Sequence, residues 1–167
     1  HDLDVIKGVK GVYKATGATI EIGEVKFDNT IEYFSVFGVP TDSESLSLIK
    51  TIDFFLIEDG REFGNGETGK VIVGYKVALE GFDKEIRKGH RLKVKGDDFK
   101  VIALQKKTGS PIHDNMVRIP IDEARALFDR ANDEFTTIFI KVGASEDPAV
   151  VAEDIKKAMR RDHGVKE

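Results

Sequence analysis

The alternation of apolar and polar residues predicts a pair of β-strands near the start of the chain. Residues 19–22 alternate strictly, and so do residues 25–27, which is typical of a half-buried strand. The phase of the alternation breaks at Gly23, and this break indicates a bulge or a bend. An Asp-Asn pair at residues 28–29 then predicts a two-residue turn into a second strand over residues 31–37.

Helical spacing appears on either side of these strands. Val5, Val9 and Val12 lie on one face of a helix that we expect to end near Gly11. A second helix is predicted over residues 43–52, with a polar cap at residues 41–43. The remaining predicted elements are strands at 54–57 and 71–73, a helix at 75–82, a hairpin at 89–104, a loop at 106–115, a strand at 117–120 and a helix from 122.

The C-terminal region has the strongest local signals. Residues 135–142 have high β propensity. Asp147 then offers an N-cap and Pro148 a first helical residue, and apolar residues recur every fourth position at Val151, Ile155 and Met159. A strand, a capped helix and several hairpins together predict an α+β fold.

Composition excludes several classes of protein. The 167 residues are 40% apolar and 34% charged with a net charge of −4, so neither disorder nor a basic nucleic-acid footprint is expected. There is no cysteine, which excludes disulfides and thiolate chemistry, and no apolar run has the roughly 20 residues of a membrane span. One Gln and four Asn beside many Lys and Glu are typical of heat-adapted proteins, which suggests a thermophile.

The four histidines offer little catalytic or metal-binding chemistry. His1, His163 and His90 are expected to face solvent. His113 and Asp114 could supply two metal ligands, but no further ligand stands nearby at a suitable spacing. We therefore expect no catalytic residue and no metal site.

A glycine-rich stretch imitates a phosphate-binding loop. Residues 64–70 satisfy the Gly-x4-Gly-Lys spacing, but the next position is Val71 where the motif needs Ser or Thr. A strand is predicted to follow, whereas a phosphate loop opens a helix. No bound nucleotide or other cofactor is expected.

Several short sequence motifs, in the same order along the chain, resemble those of the MacB-like periplasmic core domain, which is the extracytoplasmic domain of FtsX/MacB-like ABC transporter permeases. The resemblance covers essentially the whole chain, and Ala103 stands where the family has a glycine. The matching phrases are Ile-Lys-Gly-Val-Lys-Gly-Val at 6–12, Phe-Gly-Val-Pro at 37–40, Gly-Arg-Glu-Phe at 60–63, the strand and small helix at 71–78, the hairpin at 89–103, Ile-Pro at 119–120 and Arg-Arg-Asp-His-Gly at 160–164.

The resemblance implies a two-lobed architecture. A porter-like α/β lobe would be formed by both chain ends, residues 1–60 and 132–167. A smaller, mainly β lobe would be inserted between them as residues 61–131. One membrane helix would precede His1 and three would follow Glu167, with the domain on the extracytoplasmic side of the cell membrane.

The resemblance also implies a function without catalysis in this domain. ATP would be hydrolysed by a separate ABC ATPase subunit or domain across the membrane, and the resulting movement of the membrane helices would drive substrate export or extraction. The expected partners are that ATPase, a second permease copy in a homodimer and an unknown export substrate, with no nucleic acid.

Two alternatives remain open from the sequence. A free-standing extracytoplasmic binding protein would capture a lipid, a peptide or a small ligand between its lobes. A hydrolase would use His113 and Asp114. Apolar segments of about 20 residues on both sides of this region would favour the permease, whereas a signal peptide and an early stop would favour the binding protein.

Overall fold

A computed structural model describes residues 1–164 and shows a mixed α+β fold, which confirms the predicted class. The helices are α1 (Asp2–Lys7), α2 (Ser43–Ile49), α3 (Tyr75–Glu80), α4 (Pro111–Asp114), α5 (Ile121–Leu127) and α6 (Pro148–Asp162). The strands are β1 (Val12–Phe27), β2 (Thr30–Val39), β3 (Ile57–Gly60), β4 (Lys70–Val73), β5 (Arg91–Val94), β6 (Asp97–Gln105), β7 (Met116–Pro120) and β8 (Thr137–Val142).

Six strands form a closed ring of hydrogen-bonded pairs. The order around the ring is β1, β2, β7, β4, β6, β5 and back to β1, with β2–β7 and β4–β6 parallel and the other pairs antiparallel. The ring closes at the end of β1, where Val25 lies opposite Glu32 of β2 and also opposite Val94 of β5. β3 pairs with the C-terminal part of β6.

β1 connects this ring to the elements at the chain ends. Residues 12–18 of β1 pair with β8, and residues 19–27 pair with β2. The register is regular across Gly23, so the bulge predicted there is wrong; the irregularity lies between Val12 and Lys14. Gly23 instead makes room for the ring of Phe128, which a Cβ atom would approach to 2.7 Å.

Two hydrophobic clusters lie on opposite faces of the ring strands. In β4, Val71 and Val73 belong to one cluster and Ile72 to the other, which explains the uninterrupted apolar run. The first cluster also includes the strand residues Val25, Val36, Val94, Val101 and Ile119. Val77 of α3 and Phe82, just after α3, belong to it as well. The second includes Phe37, Leu46, Ile49, Phe55, Phe63, Ile102 and Met116.

Several predicted elements differ from the structure. The loop predicted at residues 106–115 contains the short helix α4, which starts at Pro111, a residue suited to the first helical position. The helix predicted over residues 43–52 ends at Ile49. α1 ends at Lys7, so Val9 and Val12 lie in the turn and the strand that follow the helix. The strand predicted at residues 54–57 is a 3-10 helix, Asp53–Phe55, and β3 begins only at Ile57. The tight turn lets the neighbouring rings of Phe54 and Phe55 pack against each other at 4.7 Å, whereas in a strand they would point to opposite faces.

Local signals at turns and caps are confirmed. Asp28 and Asn29 have φ of 48° and 62°, the left-handed values of the predicted hairpin turn. The Asp147 side chain caps α6 by accepting a hydrogen bond from Ala149 N at 2.9 Å. The division into lobes at residues 60 and 132 stays a prediction. Within residues 1–164, no helix has the length and hydropathy of a membrane span.

Candidate functional site

A cleft of about 500 Å³ lies between the chain-terminal elements and loops at one end of the ring. α1, β1 and the segment before β8 line one side, and the other side is lined by two loops, at residues 40–42 and 65–68, and by the start of α5. This volume lies within the range that accommodates a small ligand. The lining includes Leu3, Lys7, Gly17 and Phe135 on the first side and residues from 40–42, 65–68 and 120–125 on the second.

The cleft carries four carboxylates, and each of them has a partner within the protein. Asp42 caps α2 by accepting a hydrogen bond from Ser45 N at 3.0 Å. Glu123 accepts a hydrogen bond from Gly69 N at 2.8 Å. Partial burial raises the pKa of Glu123 above its usual value, although this hydrogen bond opposes the shift. Glu67 is bound to Arg61. Asp122 lies 3.7 Å from the Arg125 guanidinium, and its side chain is 91% exposed.

The glycine-rich stretch at residues 64–70 borders this cleft. Glu67 pairs with Arg61 through two 2.8 Å hydrogen bonds, which hold the pKa of Glu67 below its usual range. The three glycine N–H groups of this stretch are hydrogen-bonded within the protein: Gly64 N donates to Glu67, Gly66 N to Thr41 O and Gly69 N to Glu123. The stretch runs directly into β4, as the sequence predicted. Its glycine N–H groups already donate to two carboxylates and a carbonyl.

His113 and Asp114 have separate structural roles. The ring of His113 stacks on Phe54 at 4.0 Å. The Asp114 carboxylate is buried and accepts hydrogen bonds from Thr108 N, Thr108 Oγ1 and Gly109 N at 2.8 to 3.0 Å. Burial alone would raise the pKa of Asp114, but these hydrogen bonds outweigh it and place the pKa below its usual value.

His90 lies at the surface, where the sequence predicted it. Its Nδ1 accepts a hydrogen bond from Arg87 N at 3.0 Å, and its ring packs beside Phe27 at 5.5 Å. This arrangement closes the turn before β5, which is a structural role.

The two chain ends meet at a cluster that the sequence analysis missed. His1 Nδ1 lies 3.2 Å from Asp162 Oδ2 and 3.7 Å from Asp2 Oδ1. His163 Nε2 lies 3.1 Å from Asp2 Oδ1 and 4.0 Å from Asp162 Oδ2. No local pattern could reveal this cluster, because Asp2 and His163 are 161 positions apart.

At the opposite end of α6, backbone contacts also join the N-terminal and C-terminal segments. Gly143 N donates a hydrogen bond to Gly11 O at 2.9 Å. Gly11 has φ of 93° and lies so close to Val151 of α6 that a Cβ atom would come within 2.6 Å. α1 and the start of β1 are therefore held against α6 and β8.

A buried arginine is the second feature that the sequence analysis missed. Arg118 of β7 is fully buried and pairs with Glu62, which belongs to the Gly-Arg-Glu-Phe phrase at residues 60–63. The available signal was a single Arg within an otherwise apolar strand, since a buried charge requires a partner.

Comparisons with known proteins agree with the resemblance drawn from the motifs. The model of the family described as MacB-like periplasmic core domain matches residues 1–158. An uncharacterized ABC transporter permease of Methanocaldococcus jannaschii is 30% identical to this chain. The alignment is 169 positions long, gaps included, and covers 98% of this chain. The chain spans about 40% of the length of that relative.

Two solved structures share the fold. The extracellular domain of the noncanonic ABC-type transporter YknZ from Gram-positive bacteria has a TM-score of 0.71 at 17% identity, covering 99% of this chain and 84% of that one. The periplasmic region of MacB from Actinobacillus actinomycetemcomitans has a TM-score of 0.73 at 14% identity, covering 99% of this chain and 74% of that one.

Proposed function

Because the chain belongs to the family of MacB-like periplasmic core domains, we propose that it is the extracytoplasmic part of an ABC transporter permease and carries movement of membrane helices to the outer face of the membrane. The domain itself performs no catalysis in this proposal. ATP is hydrolysed by a separate ABC ATPase on the opposite side of the membrane.

The observation that carries the proposal is the meeting of the two chain ends. Hydrogen-bonding distances of 3.1 and 3.2 Å join Asp2 to His163 and His1 to Asp162. Segments that continue beyond both ends would leave the domain side by side, as two neighbouring membrane helices require. Two adjacent covalent connections transmit rotation as well as displacement, whereas a single connection would act as a swivel.

The fold also supports transmission from the chain ends to the ring. β1 has 16 residues and extends about 50 Å. It pairs with β8 near the chain ends and closes the ring at Val25. A displacement of the ends therefore moves the ring through a hydrogen-bonded strand with no loop in between.

Partners and cargo complete the proposal. A second permease copy would form a homodimer, and the paired domains would move relative to each other as ATP is bound and hydrolysed. The export substrate would meet the domain on its outer surface. The cleft beside α1 is a suitable contact region, because it is lined both by the chain-terminal elements and by loops and a helix that adjoin the strands of the ring.

The cleft also supports a second function, a free-standing extracytoplasmic binding protein. Its volume of about 500 Å³ suits a small ligand. Such a protein would need no membrane helices and no ATPase. Translation of the DNA on both sides of this region separates the two functions.

Distance measurements on the full permease–ATPase complex test the proposed movement. The 167 residues contain no cysteine, so once any cysteines elsewhere in the complex have been replaced, a single spin label can be placed at Asp98→Cys on the β5–β6 hairpin or, as a second site, at Lys157→Cys on α6. We expect the distance between labels on paired copies to change by several ångströms between ATP-bound and nucleotide-free states. Identical distances in both states, at both sites, would overturn the proposed movement.

A further inference from the structure

We propose that His1, Asp2, Asp162 and His163 form a binding site for a divalent transition metal, with Zn²⁺ as the best-suited ion. The site joins the first turn of α1 to the last turn of α6. It is defined by the donor atoms at the chain ends and does not depend on the proposed function.

The donor atoms of His1, Asp2 and Asp162 are close enough to one another to hold one metal ion, and His163 lies next to them. Imidazole nitrogens and carboxylate oxygens alternate around the cluster, with successive separations of 3.2, 3.7, 3.1 and 4.0 Å. Zinc bonds of 2.0 to 2.2 Å in a tetrahedral arrangement place neighbouring ligand atoms about 3.4 Å apart. One donor atom from each of His1, Asp2 and Asp162 lies within 4.8 Å of the other two. His163 Nε2 is outside this group of three, but it lies 3.1 Å from Asp2 Oδ1 and 4.0 Å from Asp162 Oδ2, and we assign it as the fourth ligand, which moves toward the ion when the ion binds.

The chemistry of the donors selects the class of metal. Imidazole nitrogen is a good ligand for Zn²⁺, Co²⁺ and Ni²⁺, whereas Ca²⁺ and Mg²⁺ prefer sites made only of oxygen. Two carboxylates supply two negative charges, which balance one divalent cation. The side chains are solvent-exposed, so an ion can reach them without opening the fold.

Charge pairing without a metal is the competing interpretation. The hydrogen bond to Asp2, with the negative charge of Asp2 and a smaller effect from Asp162, raises the pKa of His163 above its usual value. A protonated imidazole would satisfy both carboxylates. Metal binding requires neutral imidazoles, so the two interpretations differ in how they respond to added metal at neutral pH.

The test uses the 167-residue chain extended by Gly-Ser before His1. The extension moves the free α-amino group away from the imidazole, because an N-terminal histidine alone can chelate metals. Zn²⁺ binding is measured by calorimetry at pH 7.5, and Co²⁺ binding by the visible ligand-field absorption of the ion. We expect one saturable site per chain and an increase in the melting temperature with Zn²⁺.

Single substitutions then identify the ligands. Asp162→Asn and His163→Gln should each weaken Zn²⁺ binding by at least ~10-fold, because they remove ligands from the ion. Asp154→Asn, on the same helix, and His90→Gln, on the β5 side of the ring, are matched controls and should bind as the parent does. A cooperative melting transition without metal shows that the substituted chains fold.

Three results would overturn the site. They are no binding to the extended chain, binding only when His1 carries the free α-amino group, and equal affinities for the parent, Asp162→Asn and His163→Gln. None of these results bears on the proposed transport function, which is tested separately by the spin-label distances.

Discussion

The guanidinium of Arg118 and the carboxylate of Glu62 form a two-point ion pair inside the protein, with N–O distances of 2.7 and 3.0 Å. Arg118 also donates to Gln105 Oε1 at 2.6 Å and to Phe55 O at 3.2 Å, and its guanidinium lies 4.5 Å from the centre of the Phe55 ring. Burial lowers the pKa of Arg118 and Glu62 opposes that shift, so the arginine remains a cation. The pair fastens the segment after β3 to β7.

Removal of Glu62 should strongly destabilise the fold. Glu62→Ala leaves the Arg118 charge buried without its counter-ion, and we expect a loss of about 3–5 kcal/mol in the free energy of unfolding, measured by urea denaturation. Glu58→Ala, an exposed glutamate of β3, is the matched control and should change it by less than about 0.5 kcal/mol. Adding Arg118→Met to Glu62→Ala should recover part of the loss. A loss below about 1 kcal/mol for Glu62→Ala would contradict the ion pair.

Gly60 should tolerate no side chain, whereas Gly64 should accept one. Gly60 has φ of 100°, and a Cβ atom there would collide with Ile102 O and lie 2.7 Å from Ala103 Cα. We expect Gly60→Ala to lower the free energy of unfolding by about 2–4 kcal/mol, from the strained backbone and the overlap together. Gly64→Ala meets nothing within 4 Å and should cost less than about 1 kcal/mol. If Gly60→Ala and Gly64→Ala lowered the free energy of unfolding by the same amount in urea denaturation, β3 would not lie this close to β6.

His163 should titrate at a higher pH than an ordinary histidine when metal is chelated. The hydrogen bond to Asp2 raises the pKa of His163, so the pair stabilises the fold below the unfolded-state pKa of about 6.5. That stabilisation is lost as the pH rises through the folded-state pKa. NMR titration with EDTA present should show the pKa of His163 falling in Asp2→Asn, and Asp4→Asn serves as the control. A pKa of His163 that is the same in the parent and Asp2→Asn would refute the contact between the chain ends.

Asp114 should stabilise the loop before β7 at neutral pH. Its pKa lies below the usual value because Thr108 and Gly109 donate hydrogen bonds to the carboxylate. The stabilisation is present above the unfolded-state pKa of about 3.9 and is lost as the pH falls through the folded-state pKa. Asp114→Asn should cost about 1.5–3 kcal/mol at pH 7 in urea denaturation. The exposed control Asp98→Asn should cost almost nothing. The difference between Asp114→Asn and the parent should shrink toward acidic pH, and a constant difference would argue against a charged acceptor.

The sequence by itself determined the features that depend on neighbouring residues. The hairpin turn at Asp28 and Asn29, the Asp147 cap of α6 and the α+β class follow from backbone preferences and from hydrogen bonds a few positions apart, and the structure confirms them. The order of the short sequence motifs also sufficed to identify the family, and the match of the family model to residues 1–158 confirms it. The sequence-based predictions were wrong where tertiary packing outweighs local backbone preference. An example is the segment predicted as a strand that forms a 3-10 helix, in which the Phe54 and Phe55 rings pack against each other.

Only the tertiary structure decided which distant residues share a site. The ring closes because Val25 lies between β2 and β5, Arg118 meets Glu62 across 56 positions, and His163 meets Asp2 across 161. Alternation and helical spacing describe how a residue faces its immediate neighbours, but they carry no information on which strand lies beside which. That choice is made when the whole chain buries its apolar faces together, and the polar groups brought together by this packing pair with one another.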